Sequence, residues 1–118
     1  GDAARARLRG ETLAAPELVD LEVASVLRRQ NRAGMLDNRR AQLALTDLGA
    51  LPMVRASHLA LLRRCWELRE NVTTYDAAYV ALAEALDAML LTGDRRLAHA
   101  AGPTCTIELL RTPPAAES

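Results

Sequence analysis

The chain contains no lysine and no phenylalanine, and aromatic residues make up only 3% of it. All 15 basic side chains are therefore arginine, and they balance 15 acidic ones to a formal net charge of zero. Without a bulk positive field, any contact with nucleic acid has to come from local arrangement. Arginine's planar, five-donor fork suits phosphates and carboxylates. There are only two cysteines, Cys65 and Cys105, too far apart for a C-x-x-C pair and without zinc-site spacing; a reduced, cytoplasmic protein is the simplest expectation. No apolar run approaches the ~18–20 residues that span a bilayer, and no basic segment followed by an apolar one opens the chain. Membrane and secretory classes are therefore not expected. With 6 Gly and 5 Pro the chain is neither low in complexity nor disordered in composition. None of the glycines forms a G-x-G-x-x-G or Walker pattern, which argues against nucleotide-cofactor binding. His58 and His99 have no convincing nucleophile beside them in sequence, so a hydrolytic triad is not expected.

What is present fits one domain: 118 residues, half of them apolar. The chain opens on Gly1 rather than Met with residues 2–9 already helical in pattern, closed by Gly10, and a preceding segment is expected. Thr12–Ala15 reads as a brief strand, with Pro16 in the first turn of a helix that carries Leu18, Leu21, Val26 and Leu27 and stops at Gly34. Asp37 is the N-cap of a second helix to Leu48. Residues 52–56 read as a strand. Ser57 starts a third helix to about Asn71, with Trp66 in the core. Thr73 or Thr74 caps a fourth, from Tyr75 to about Leu86. Residues 88–92 form a strand, Asp94 caps a short helix, Thr104–Leu109 is a last strand, and the residues beyond Leu110 are a frayed tail. Helices of about 10–15 residues alternating with short apolar runs predict an α/β fold with a parallel sheet. In such sheets ligands bind beyond the carboxyl ends of the strands.

Three acids fall where they can converge at that edge: Glu22, Asp76 and Asp94. Asp76, three residues after Thr73, also satisfies a capping box, and Asp94 after Gly93 is a good N-cap. Glu22 shares a helix face with Leu18 and Val26, which points it toward packed surface, where a carboxylate needs a partner. That partner is either Arg29 in an ion pair or a divalent cation. Two like charges about 4 Å apart repel by about 4 kcal/mol at an effective dielectric of about 20, so gathered carboxylates imply a compensating cation or a shared proton. Oxygen ligands without Cys or His select Mg²⁺ or Mn²⁺. Tyr79, three residues after Asp76, reads as a packed core aromatic, with ordering of the acid or base stacking as the other roles open to it.

Three segments, residues 16–29 around Leu18-Val19-Asp20-Leu21-Glu22, residues 73–83 beginning Thr73-Thr74-Tyr75-Asp76, and residues 91–97 beginning Leu91-Thr92-Gly93-Asp94, together resemble the PIN-domain ribonucleases, specifically the VapC toxins of bacterial toxin-antitoxin pairs. The resemblance implies a three-layer α/β/α sandwich over residues 1–112 around a central parallel sheet, with residues 113–118 as a flexible tail. It further implies an acidic pocket in which Glu22, Asp76 and Asp94 bind Mg²⁺ or Mn²⁺ and cleave RNA phosphodiesters. Thr92 matches a polar position before the last acid, and Arg95 and Arg96 are placed to meet flanking phosphates, or else form solvated helix surface. A cognate VapB-type antitoxin that blocks the pocket is implied, as is a toxin homodimer or toxin-antitoxin hetero-oligomer. Members of the family begin with a central strand bearing an Asp near its end. No such strand is read at the start of this sequence, so it is expected from a preceding segment or another chain; the second expectation is a catalytically incomplete PIN domain acting as an antitoxin-binding module.

Overall fold

A computed structural model describes residues 13–110. The helix expected over residues 2–9 and the tail beyond Leu110 lie outside them. Strand β1, Leu13–Pro16, ends in the buried Ala15 and Pro16. Pro16 is thus the last strand residue and not part of a helical turn. Its missing N–H costs little at a strand end, and the next donor, Glu17 N–H, continues the pairing to the Ala56 carbonyl at 2.9 Å. Helix α1 covers Val19–Arg32 and α2 covers Asn38–Ala50. Between them the Asn31 amide donates to the Leu36 carbonyl and to Asn38 Oδ1, while Asp37 caps α2 by accepting the Arg40 N–H at 2.8 Å.

Neither helix buries a single residue. Leu21, on the expected apolar face of α1, is 75% exposed, and Met35 and Leu43 also face outward. The periodicity marked the helices correctly, but among the described residues their apolar stripes have little core to cover. Strand β2, Met53–Ala56, pairs in parallel with β1, Leu13 opposite Met53 through Pro16 opposite Ala56. Arg55 on β2 binds both carboxylate oxygens of Asp20 at 2.8 and 3.0 Å and the Leu48 carbonyl at 2.7 Å, tying β2 to both helices.

The single third helix expected from Ser57 to Asn71 is broken into a 3₁₀ turn, Leu59–Leu61, and helix α3, Leu62–Glu67. Ser57 Oγ accepts the Leu59 N–H at 3.3 Å, so the start signal acts on the turn. Trp66 is not in the core. It is 68% exposed, with the Arg69 guanidinium 4.6 Å from its ring centre; the same helix instead buries Cys65, with Leu61 and Leu68 at its two ends.

Helix α4, Thr74–Ala85, is the centre of the molecule: Ala77, Ala78, Val80, Ala81, Leu82 and Ala83 are all buried. After it come β3 (Leu90–Thr92), α5 (Arg95–Ala98) and β4 (Ile107–Leu109), with β3 and β4 parallel. The parallel α/β architecture is present; among the described residues the sheet is seen as two parallel pairs and not as one continuous sheet. The strands form two separate pairs, β1 with β2 and β3 with β4. Helix α4 packs against β1 and β3. A cleft of about 270 Å³ lies between the pairs, with Leu13 and Ala14 on one side, Leu90 and Leu91 on the other, and Leu82 and Leu86 of α4 among its lining.

A polar staple fixes α3, α4 and the loop before β4. Arg64 donates to both oxygens of Glu84, at 2.7 and 3.1 Å, and to the Gly102 carbonyl at 3.0 Å; Thr104 N–H adds a bond to Glu84 at 2.8 Å. The Arg64 guanidinium, with the Thr104 bond in support, holds the Glu84 carboxyl down to about 2. Gly102 has φ +105°, a backbone conformation that other residues rarely adopt, so this turn requires glycine.

Candidate functional site

Asp76 sits in the first turn of α4. Its backbone N–H donates to Thr73 Oγ1 at 3.2 Å, the forward half of a capping box. No reciprocal bond from its carboxylate to Thr73 is formed, which leaves that carboxylate uncommitted among the described residues. Glu22 lies one turn into α1 and is exposed, so the packed position expected for it is not observed. Its partner is not Arg29, whose only hydrogen bond among the described residues goes to Ser25 Oγ at 3.5 Å. Instead the Tyr79 hydroxyl donates a short hydrogen bond to Glu22 Oε1, closing a contact between residues 57 positions apart.

Tyr79 is thereby the junction of the site. Burial pushes its phenol well above the ordinary value, and the bond to Glu22 together with the charges of Glu22, Asp76 and Asp20 pushes it further. The phenol therefore stays protonated and serves as a donor. Of these acids Asp20 is taken up by Arg55, whereas Glu22 and Asp76 have no cationic partner among the described residues. Ring packing was the leading sequence reading for Tyr79. Its i+3 spacing from Asp76 hinted at an ordering role, but nothing local announced the distant Glu22.

Asp94 lies beyond the end of β3 as the N-cap of α5. Its Oδ1 accepts the Arg96 N–H at 2.8 Å and its own N–H donates to Thr92 Oγ1 at 3.0 Å. Thr92 thus orients the turn that presents Asp94, whose Oδ2 stays uncommitted among the described residues. Arg95 and Arg96 are exposed. Tyr79 binds Glu22 and follows Asp76 by three residues on α4, so these two acids act on the same phenol, while Asp94 is held separately. Among the described residues no group of three His, Cys, Asp or Glu is gathered tightly enough to hold a metal ion.

A sequence profile described as the PIN domain matches residues 1–103. The chain belongs to the PIN-domain family. Its PIN domain is 49% identical over 98 residues to a protein named Ribonuclease VapC1 of Mycobacterium tuberculosis (strain CDC 1551 / Oshkosh), a match that covers 82% of this chain and 74% of that one. It is 43% identical over 110 residues to VapC ribonuclease Mb0985 of Mycobacterium bovis, covering 91% and 84%. Ribonuclease VapC12 of Mycobacterium tuberculosis is 36% identical over 110 residues, covering 93% and 85%.

In this PIN domain the donor chemistry suits a hard divalent cation: Glu22, Asp76 and Asp94 would supply carboxylate oxygens, with no Cys or His among them. Both thiols are pushed up by burial, away from the thiolate form that binds soft metals. Where the described residues fall short is in the number of carboxylates gathered. No helix of the described residues is long and apolar enough to cross a membrane.

The Tyr79 contact can be tested independently of any activity. Removing its hydroxyl in Tyr79→Phe is expected to lower the unfolding free energy by about 1 kcal/mol in urea titrations. Glu22→Gln is expected to cost less, since the amide oxygen still accepts from Tyr79. Equal stability of Tyr79→Phe and the unaltered protein would remove the contact from the account.

Proposed function

We propose that the protein is an Mg²⁺- or Mn²⁺-dependent endoribonuclease toxin neutralised by a cognate VapB-type antitoxin. The observation that carries this reading is that Glu22, held by the Tyr79 hydroxyl, and Asp76, one turn before Tyr79 on α4, have no cationic partner among the described residues, while neighbouring Asp20 is paired with Arg55. The ribonuclease names of the relatives point to the same chemistry.

In this reading Glu22, Asp76 and Asp94 would hold the cation, which would supply a water of lowered pKa and offset charge on the leaving oxygen. The protein's own residues do the positioning. Tyr79 fixes the direction of Glu22, the α4 N-terminus favours the charge of Asp76, and Thr92 sets the turn that carries Asp94. Arg95 and Arg96 meet phosphates flanking the cleaved bond through bidentate hydrogen bonds. The cleft between β1 and β3 seats one further parallel strand, which brings an additional carboxylate to the same edge and merges the two strand pairs into one sheet.

The exposed apolar side chains of α1 and α2, Leu21 and Leu43 among them, suit an antitoxin segment. A homodimer or toxin-antitoxin hetero-oligomer is part of the proposal. The same exposed faces would serve the second reading, a catalytically incomplete PIN domain acting as an antitoxin-binding module.

Incubating the purified protein with structured RNA separates the two. Cleavage with Mg²⁺ that stops on chelation supports the enzyme. An absence of cleavage at any Mg²⁺ or Mn²⁺ concentration, with antitoxin binding intact, leaves only the binding module.

A further inference from the structure

The described part of the chain has three aromatic residues, and one of them is placed without a structural task. Tyr75 is 67% exposed, makes no hydrogen bond among the described residues, and immediately precedes Asp76. It stands one helical turn before Tyr79 on the same face of α4. Opposite it, α1 presents Glu22, Ser25, Val26 and Arg29, spaced i, i+3, i+4 and i+7 along one stripe. These four side chains and Tyr75 enclose an open hollow of about 320 Å³.

The chemistry of that hollow is sorted along its length. At one end is the carboxylate that Tyr79 holds. At the other is Arg29, seven residues and about 10 Å further along the helix axis. Its only hydrogen bond among the described residues is the long one to Ser25, so most of its five donors are free of partners there. The Tyr75 ring and the Val26 side chain supply apolar surface between the two ends. Arginine donors beside an exposed aromatic face are what a single-stranded nucleic acid uses: a phosphate for the guanidinium and a base for the ring.

We propose that this hollow is a nucleotide subsite, in which one unpaired base of the RNA stacks on Tyr75 while its phosphate is held by Arg29. The subsite rests on the ribonuclease reading of the adjoining acids and deepens it. A base inside a duplex is already stacked and cannot reach the ring, so the subsite selects unpaired RNA. Arg29 is too far along α1 to share the phosphate at the carboxylates and takes a neighbouring one.

Fluorescence anisotropy with labelled oligouridine, with chelator present so that no cleavage occurs, tests the subsite apart from the chemistry. Tyr75→Ala is expected to raise Kd about tenfold, the usual range for loss of one base–aromatic stack, and Tyr75→Trp to restore binding. Arg29→Ala is expected to weaken binding and lower the slope of log affinity against log salt by about 0.7, the signature of one lost phosphate contact. Arg39→Ala on α2, outside the hollow, should leave both unchanged. A failure of the unaltered protein to bind oligouridine would overturn the subsite. So would wild-type affinity in both Tyr75→Ala and Arg29→Ala, equal weakening by Arg39→Ala, or equal affinity for a labelled duplex. Binding through Tyr75 without any Mg²⁺-dependent cleavage would keep the subsite and overturn the nuclease reading, so the two failures are distinct.

Discussion

Glu22→Gln, Asp76→Asn and Asp94→Asn are each expected to reduce Mg²⁺-dependent RNA cleavage by more than about 100-fold while leaving the fold intact. Losing even an outer-shell partner of a bound metal typically costs about 10–100-fold, and a direct ligand should exceed that. The substitutions are chosen to keep local structure. A glutamine at position 22 still accepts the Tyr79 hydroxyl. An asparagine at position 94 caps α5 as well as an aspartate does. Asp76 contributes its backbone N–H to Thr73, so its side chain can change without loss of the cap. Asp20→Asn is the informative contrast, since it strips charge from the Arg55 fork and is expected to lower stability more than cleavage rate. Initial rates on one RNA, with thermal midpoints measured in parallel, check this. Unchanged cleavage by all three site variants would remove these acids from the chemistry.

The largest effect on stability is expected at Glu84. Its carboxyl is held down to about 2 by Arg64, against an ordinary value of 4.5, so the folded state favours the ionised form. The stabilisation is therefore fully present above about pH 4.5 and is lost as pH falls toward 2. A full shift of that size would correspond to roughly 3 kcal/mol; with Arg64 about a third exposed, screening reduces it to about 2 kcal/mol. At neutral pH Glu84→Gln is expected to lower the thermal midpoint by roughly 10 °C. Because glutamine does not titrate, the variant and the unaltered protein should converge near pH 2. A gap between their midpoints that stays constant down to that pH would show that Glu84 acts through packing and not through its charge.

Legibility from sequence followed the range of the interactions. Asp37, Thr73 and Asp94 were readable as N-caps because the cap acts over two or three residues, and all three accept the expected backbone N–H. Helix α4 was readable from its run of small and apolar residues. Burial was not. Leu21 and Trp66 both carry the pattern of core positions, yet whether an apolar stripe is covered depends on distant elements, and among the described residues little lies over these two. The bond from Tyr79 to Glu22 and the pairing of Arg64 with Glu84 join residues 57 and 20 positions apart, and no local signal specifies either. The parallel direction of the strands followed from their alternation with helices. Their division into two pairs did not, because strand order is a long-range property.

The central claim, that Glu22, Asp76 and Asp94 serve one hard cation, is tested most directly by Mn²⁺ titration monitored by electron paramagnetic resonance, with Mg²⁺ as competitor. One Mn²⁺ is expected to bind per chain and to be displaced by Mg²⁺, with affinity sharply lowered by Glu22→Gln, Asp76→Asn and Asp94→Asn alike and unaffected by Glu84→Gln in the folded protein. Mn²⁺ binding of equal strength in all three site variants, or none in the unaltered protein, would contradict it.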